Sequence, residues 1–389
     1  MKWTFARAAA GTLVLLSLGA AAPATAAPNG PAAPRRPLGA TITVDTLSDS
    51  DSHDNELSLR EALKIAAGDL TTCLTSHEKN QISGGSFTPP IFAPFCGLGI
   101  GDPARYDLVA RLLNPGVGYD YADNIVFSAG PGTISLGSAL PRLEQNDNIN
   151  GSVGGGKIVI DGNGLATNGL SIVRFYSYYC CPYGSTGNQI RNLVIRNFNG
   201  HGIANSDSGP ADMATDGMIL QGLEIYQNTK AAIYLQAVGG DENKNNRNLT
   251  IGGTGSGEGN ALYGNGWDGI RIDNSPNYDT SSQNIVIEGN FIGLKGSGST
   301  GDDGNAGYGI LLNNTNGARV GGDTTASRNF IAGNNADGIK IAGVGAVNNS
   351  VFNNYIGLTA AGIVARGNSW SGVAIINGHS NQIGAPGKG

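Results

Sequence analysis

LTIGG at residues 249–253 and DGIRI at residues 268–272 have counterparts in ARVGG at residues 318–322 and DGIKI at residues 337–341. The two pairs keep the same order and nearly the same spacing, and the pattern recurs after about 65 to 70 residues. A fixed period of this length predicts stacked structural repeats rather than a single irregular core.

A second pair of segments interleaves with the first: IVIEGNFIGL begins at Ile285, and SVFNNYIGL begins at Ser350. The repeat therefore contains two alternating units, each with three short apolar runs bounded by Gly and Asn. Runs of this kind are typical of β-strands between turns. Three strands per unit, with the units stacked, predict an all-β fold, a right-handed parallel β-helix (solenoid) of coils of roughly 30 to 40 residues. An antiparallel sandwich is the alternative, but sandwiches do not show a fixed sequence period.

The composition agrees with a turn-rich β-protein. The chain has 389 residues, 62 of them glycine, and only 14% are charged. The hydrophobic fraction of 40% excludes a disordered chain. The net charge is −6 and no basic tract is present, so nucleic acid is not an expected partner.

The first residues have the features of a secretory signal peptide. Lys2 and Arg7 precede an apolar run at 8–22, and Ala24-Thr25-Ala26 matches a cleavage site. The run is too short to span a bilayer. We predict a signal peptide at 1–26, a flexible leader at 27–40, a secreted or extracellular protein, and no membrane span after signal removal.

A cap is expected at residues 41–67, before the repeats at 123–389. TITVDT at 41–46 predicts a strand, and SLREALKIAA at 58–67 predicts a helix in which Ser58 and Glu61 form a capping box. A solenoid needs such a cap to cover its open core. Residues 68–122 fit no coil, and we expect an irregular insertion there.

Three acidic residues between the predicted strand and helix form a candidate metal site: Asp49, Asp51 and Asp54. Carboxylate oxygens suit Ca²⁺. An ordinary solvated loop is the alternative. The four cysteines fit an oxidising compartment and a structural role better than metal binding, because no partner ligand stands at metal spacing; they are Cys73, Cys96, Cys180 and Cys181.

The run ITVDT…ELSLREAL, with NIVFSAGPGTISL and IVIDGNG after it, resembles the CSLREA-type N-terminus of secreted bacterial β-helix proteins. The GN-x-IGL and DGI-x-I units resemble pectate-lyase-like β-helix repeats, and the two resemblances cover 41–67 and 123–389. They imply secretion and a β-helix, but not one activity. Leu57 stands where the N-terminal motif usually has Cys, so a disulfide of the relatives is either absent here or formed through Cys73.

Aligning the x-G-[IV]-x strands places side chains in rows on the predicted surface. If the Ile or Val points inward, its neighbours point outward. One row then reads Ala204, Tyr234, Arg271, Leu311, Lys340 and Ala374. The row beside it reads His201, Ala231, Asp268, Tyr308, Asp337 and Ser371.

Aromatic and charged residues mixed on one extended face suit a sugar polymer. We take Tyr234, Arg271, Tyr308 and Lys340 as candidate binding residues, and Arg271, Lys340, Asp268 and Asp337 as candidate catalytic residues. An unremarkable mixed surface is the alternative reading of the same rows.

Two functions follow as hypotheses. The first is a secreted or cell-surface protein that binds extracellular polysaccharide or surfaces, without established catalysis. The second is a polysaccharide lyase or glycoside hydrolase. In a lyase, a base removes the proton next to a uronate carboxylate and Ca²⁺ stabilises the enolate.

Overall fold

The computed structural model describes residues 40–52, 54–66, 75–84, 123–143, 146–172, 187–205, 215–237, 245–276, 283–296, 303–359 and 361–387. They all belong to one compact unit, Pro37–Gly389. The predicted signal peptide, the leader up to residue 39, most of the predicted insertion and all four cysteines lie outside the described residues.

Most of the described chain forms short strands in three sheets. The first sheet contains, in spatial order, β2 (Ile82–Gly84), β1 (Ala40–Val44), β3 (Asn124–Phe127), β5 (Asn148–Asn150), β9 (Gln189–Arg191), β12 (Ile219–Gln221), β15 (Thr250–Gly252), β18 (Val286–Glu288), β21 (Arg319–Gly321), β24 (Ser350–Phe352) and β27 (Gln382–Ile383).

The second sheet contains β4 (Thr133–Ser135), β7 (Gly156–Asp161), β10 (Leu193–Arg196), β13 (Glu224–Tyr226), β16 (Ala261–Tyr263), β19 (Phe291–Ile292), β22 (Phe330–Ile331) and β25 (Tyr355–Ile356), with β6 (Ser152–Val153) antiparallel to β7. The third sheet contains β8 (Leu170–Ser171), β11 (Ile203–Ala204), β14 (Ile233–Gln236), β17 (Ile270–Asp273), β20 (Ile310–Asn313), β23 (Ile339–Ala342) and β26 (Val373–Ile376).

The chain visits the three sheets in turn. Strands β15, β16 and β17 lie in the first, second and third sheets, and β18, β19 and β20 then repeat the order. We call each such set of three strands a round. Strand pairing is parallel throughout the described sheets except where β2 meets β1 and β6 meets β7. The predicted class, mostly β with parallel sheets and few helices, is confirmed, and this order is consistent with a parallel β-helix.

The predicted inward phase of the third sheet is also confirmed. The aligned residues pair directly across neighbouring strands: Ile203, Ile233, Ile270, Ile310, Ile339 and Val373. The five isoleucines have no exposed surface, whereas Val373, at the last described round, is half-buried. Each such burial contributes about 1.5–3 kcal/mol to the free energy of unfolding.

Buried asparagines connect the rounds. The Oδ1 atom of Asn265 accepts hydrogen bonds from the backbone N and the Nδ2 of Asn228, at 3.3 and 3.0 Å. Asn305 does the same for Asn265, and Asn334 does the same for Asn305. Other asparagines have positive φ at turns, as expected for a residue that tolerates this conformation; examples are Asn248, Asn284, Asn314 and Asn348.

The N-terminal elements cover the core beside β1. Helix α1 (Leu59–Ala66) begins after Ser58, whose Oγ accepts from the Glu61 N at 3.2 Å, while Glu61 Oε2 accepts from the Ser58 N at 2.9 Å. The predicted capping box is therefore present. Leu57 and Leu63 join the apolar core. Within the range predicted as an irregular insertion, the structure has helix α2 (Ser76–Asn80) and strand β2.

Candidate functional site

The third sheet presents the predicted outward row in register. Tyr234 pairs with Arg271, Arg271 pairs with Leu311, and Leu311 pairs with Lys340. Tyr234, Arg271 and Lys340 are half-buried, whereas Leu311 is buried. Three of the four candidate binding residues therefore lie in one row of this sheet, with the buried Leu311 between Arg271 and Lys340.

The neighbouring row is less exposed than the sequence suggests. Asp268 and Asp337 are only 3% and 4% exposed. The Oδ1 of Asp268 accepts from the Tyr308 N at 2.7 Å, and the Oδ1 of Asp337 accepts from the Ser371 N at 2.9 Å. Burial raises the pKa of Asp268. Each carboxylate bonds to the backbone of the following round, which gives it a structural role.

A first cluster surrounds Trp267, which is 44% exposed. The His201 ring stacks on Tyr234 with centroids 4.6 Å apart, and it meets the Trp267 ring edge-on at 5.5 Å. The Arg271 guanidinium lies 5.8 Å from the centroid of the Tyr234 ring, and the Lys230 Nζ lies 5.6 Å from that of Trp267. We call these five residues the first cluster.

Charge within the first cluster is unevenly compensated. Arg271 donates to Asp273 Oδ2 from Nε at 2.7 Å and to Asp268 Oδ2 from Nη1 at 3.4 Å. Lys230 forms no ion pair with any carboxylate in the part of the chain that the structure describes. The first cluster therefore has one neutralised cation, Arg271, and one cation, Lys230, with no carboxylate partner in the described part of the chain.

His201 is held neutral. Its Nδ1 accepts from the Ala231 N at 3.1 Å, so the ring proton belongs on Nε2. Burial, together with the nearby charges of Lys230 and Arg271, lowers the pKa of His201 to about 4. Burial and the nearby Asp273 carboxylate raise the pKa of Tyr234 to about 12. Neither side chain carries charge near neutral pH.

A second cluster lies further along the same face. It consists of Tyr308, Lys340 and Trp370, the last of which is 65% exposed. Lys340 Nζ donates to the Tyr308 hydroxyl at 2.9 Å and lies 4.7 Å from the ring centroid. The Tyr308 and Trp370 rings meet edge-on at 6.4 Å. Among the described residues, Lys340 also lacks a carboxylate partner.

Both tryptophans were missed by the alignment of x-G-[IV]-x strands. Each lies one residue before the aligned segment, in Trp267-Asp268-Gly269-Ile270 and Trp370-Ser371-Gly372-Val373. Extending the alignment by one position would have placed them in one row with Lys230. The signal was therefore present in the sequence.

The candidate metal ligands near the cap do not converge. Asp49 pairs with Arg60 at 2.9 Å, and Asp51 pairs with Lys64 at 2.5 Å. Asp54 accepts from the Glu56 N at 3.1 Å and from the Ser52 Oγ at 3.0 Å. Within the described ranges no group of three or more acidic, histidine or cysteine side chains is arranged to hold a metal ion. The calcium site stays a prediction.

Comparison with protein-family models, with curated proteins and with solved structures finds no match to this chain. None of the helices in the described ranges combines the length and the apolar character needed to cross a membrane.

Proposed function

We propose that the chain winds as a right-handed parallel β-helix, is secreted, and binds extracellular polysaccharide on the outer face of the third sheet. The observation that carries this proposal is the presence, at two places on that face, of a solvent-exposed indole in a cluster with a lysine that has no carboxylate partner among the described residues. The resemblance to secreted bacterial β-helix proteins supports the proposed location and the winding.

The chemistry of the two clusters suits sugar rings. A pyranose presents C–H groups on its faces, and these pack against flat aromatic surfaces that remain open to solvent. Trp267 and Trp370 are large aromatic side chains that the fold leaves exposed, and each lies in a cluster with a second ring and a cation. The ammonium group of Lys230 lies beside the Trp267 ring and that of Lys340 beside the Tyr308 ring, and both add hydrogen-bond donors and positive charge.

Three of the four candidate catalytic residues, Arg271, Asp268 and Asp337, are better explained by binding and structure. A lyase needs a base that is free to take a proton. Arg271 is bonded to two carboxylates, and the Asp268 and Asp337 oxygens accept from backbone amides. We therefore assign no catalytic step, and polysaccharide cleavage stays the alternative.

The test is a binding panel with the full chain. Polygalacturonate, alginate, heparin and a neutral xylan are titrated against the wild type and against Trp267→Ala and Trp370→Ala. Ile363→Ala serves as the matched control, because it removes an exposed apolar side chain elsewhere. We expect at least one polymer to bind, with weaker binding in the tryptophan variants and unchanged binding in the control. Absence of binding to every polymer would contradict the proposal.

The same samples decide between binding and cleavage. Unsaturated uronates absorb in the ultraviolet, and hydrolysis releases new reducing ends. We expect neither signal on any of the four polymers, with or without added Ca²⁺. A rising absorbance would instead assign lyase activity to this chain.

A further inference from the structure

Trp267 and Trp370 occupy the same position in the first and the last of four consecutive rounds. Gly307 N donates to the Trp267 carbonyl at 2.9 Å, Ala336 N donates to the Gly307 carbonyl at 3.1 Å, and Trp370 N donates to the Ala336 carbonyl at 3.2 Å. The four residues thus form one row, side by side, each three residues before the start of β17, β20, β23 or β26. Three strand spacings place the two tryptophans about 14 Å apart.

Gly307 and Ala336 lie between the two tryptophans in this row, and we call these two residues the strip. The strip has no side chain larger than a methyl group. Gly307 must be glycine in this fold, because a Cβ atom there would collide with the Asp268 carboxylate. Ala336 is almost fully buried. An exposed indole therefore lies at each end of the strip, and neither Gly307 nor Ala336 has a side chain that could fill the space between the two indoles.

Each end of the row also carries one cation without a carboxylate partner in the described ranges. Lys230 lies beside Trp267, and Lys340 lies beside Tyr308, whose ring contacts Trp370. The cation that is neutralised, Arg271, is held by Asp268 and Asp273. Each end therefore combines an exposed indole with a lysine that has no carboxylate partner among the described residues. Lys230 lies over the indole itself, whereas Lys340 bonds to Tyr308, the neighbour of Trp370.

Aromatic residues on the second sheet show that this arrangement is not a general property of the surface. Tyr226 and Tyr263 stack at 5.0 Å and 6°, and Phe291 and Phe330 stack at 4.9 Å and 9°. Within each of these two pairs the ring faces cover one another across neighbouring strands, which stabilises the strand pairing. Among the described residues neither tryptophan has a stacked partner ring, because His201 meets Trp267 edge-on and Tyr308 meets Trp370 edge-on. Much of each indole therefore stays exposed to a ligand.

We propose that the two ends form one site, which holds a single acidic polysaccharide chain running across the strands of the third sheet. One sugar ring packs on each indole, and an acidic group of the polymer meets each lysine. The inference rests on the proposed function and adds an orientation and a minimum length to it. Oligomers that span both ends bind as bivalent ligands, and shorter ones engage one end at a time.

The experiment measures affinity by calorimetry for size-fractionated oligomers of polygalacturonate and of heparin, which distinguish carboxylate from sulfate groups. The variants are Trp267→Ala, Trp370→Ala and the double substitution, with Ile363→Ala as control. For oligomers longer than the strip we expect each single substitution to reduce affinity about tenfold. For the shortest oligomers each single substitution should reduce affinity no more than about twofold, since the other end remains, and the double substitution should abolish binding.

A further variant fills the strip. Ala336→Phe places a ring between the two indoles. We expect it to reduce the affinity for long oligomers about tenfold and to leave the affinity for short oligomers unchanged. Lys230→Ala and Lys340→Ala test the role of the two positive charges while the strip stays as in the wild type. They should reduce the affinity for acidic oligomers but not for neutral xylan oligomers of matched length. Thermal melts identify any variant that fails to fold.

The outcomes separate the two proposals. If no oligomer binds the wild type, the proposed function fails and the inference with it. If a polymer binds but only one tryptophan matters, or the effect does not depend on oligomer length, the function stands and the bridging site is wrong. If neutral oligomers bind as tightly as acidic ones, the assigned ligand class is wrong.

Discussion

His201 illustrates how a single buried group makes stability depend on pH. The pKa of His201 is about 4 in the folded chain and near 6.5 when the ring is exposed. Between these values the unfolded state binds more protons, so the free energy of unfolding falls as the pH falls from 6.5 to 4. The loss attributable to His201 should approach about 3 kcal/mol at pH 4.

The measurement is urea unfolding at pH 7 and pH 4.5 for the wild type and for His201→Asn. Asparagine places an acceptor where Nδ1 stood, so it can still bond to the Ala231 N, but it does not titrate. We expect the variant to lose less stability than the wild type over this range. Equal losses would show that His201 is not the group responsible.

The single residues also show what the sequence can and cannot predict. The inward phase of Ile339 followed from alternation alone, because strand side chains have a period of two. The burial of Asp268 did not, since it depends on the backbone amide that Tyr308 of the next round offers. Trp267 precedes the strand, where alternation no longer fixes direction. Local pattern therefore predicted the core, and contacts between rounds decided the site.

At the scale of elements, helix α1 is fixed to the sheets by a buried ion pair. Arg60 bonds to both Asp49 carboxylate oxygens at 3.0 Å and donates to the Ser138 and Ala139 carbonyls. Arg60→Met should lower the free energy of unfolding by about 3 kcal/mol or more, because it leaves a buried carboxylate without its cation. Chemical denaturation measures this loss.

The matched control is Lys64→Ala on the same helix. Its ion pair with Asp51 is more exposed than that of Arg60, and exposed pairs contribute at most about 1 kcal/mol. If Lys64→Ala lowered the free energy of unfolding as much as Arg60→Met, helix packing and not the buried ion pair would control the stability of the cap.

The asparagine ladder is the element that connects one turn region to the next. Asn305 accepts from the N and Nδ2 of Asn265 and donates to Asn334 and to the Leu262 carbonyl. Asn305→Ala leaves several of these buried groups unpaired, at about 1–3 kcal/mol each. We expect a loss of at least about 3 kcal/mol in thermal or chemical unfolding.

Asn199→Ala provides the comparison. Asn199 is exposed, and its side chain donates to the Gly164 carbonyl at 2.7 Å. Its removal should change the free energy of unfolding by no more than about 1 kcal/mol. Similar losses for the two variants would argue that the ladder adds no stability beyond that of an ordinary surface hydrogen bond.

At the scale of the whole molecule, each round contacts mainly the rounds beside it. Stability in such an arrangement is close to a sum of rounds and of the interfaces between them. Strand β1 is flanked by β2 and α1, whereas at β26 Val373 is half-buried and Ile375 and Ile376 are 41% and 46% exposed. Amide hydrogen exchange should therefore be slowest in β14 and β17 and fastest in β26.

Ile339→Asp tests this local coupling. The side chain of Ile339 lies between Ile310 and Val373 and has no exposed surface. The substitution removes about 1.5–3 kcal/mol of burial and places an unpaired carboxylate in the core, which costs several kcal/mol more. If rounds depend mainly on their neighbours, amide exchange should accelerate in β20, β23 and β26, while β1 to β11 keep their protection.

The control is Lys340→Ala, at the half-exposed neighbour of Ile339. Its free energy of unfolding should stay within about 0.5 kcal/mol of the wild type. Uniform loss of protection along the chain would mean that the sheets unfold as one cooperative unit, and a larger effect at Lys340 than at Ile339 would place the inside of the third sheet one residue away from where burial puts it.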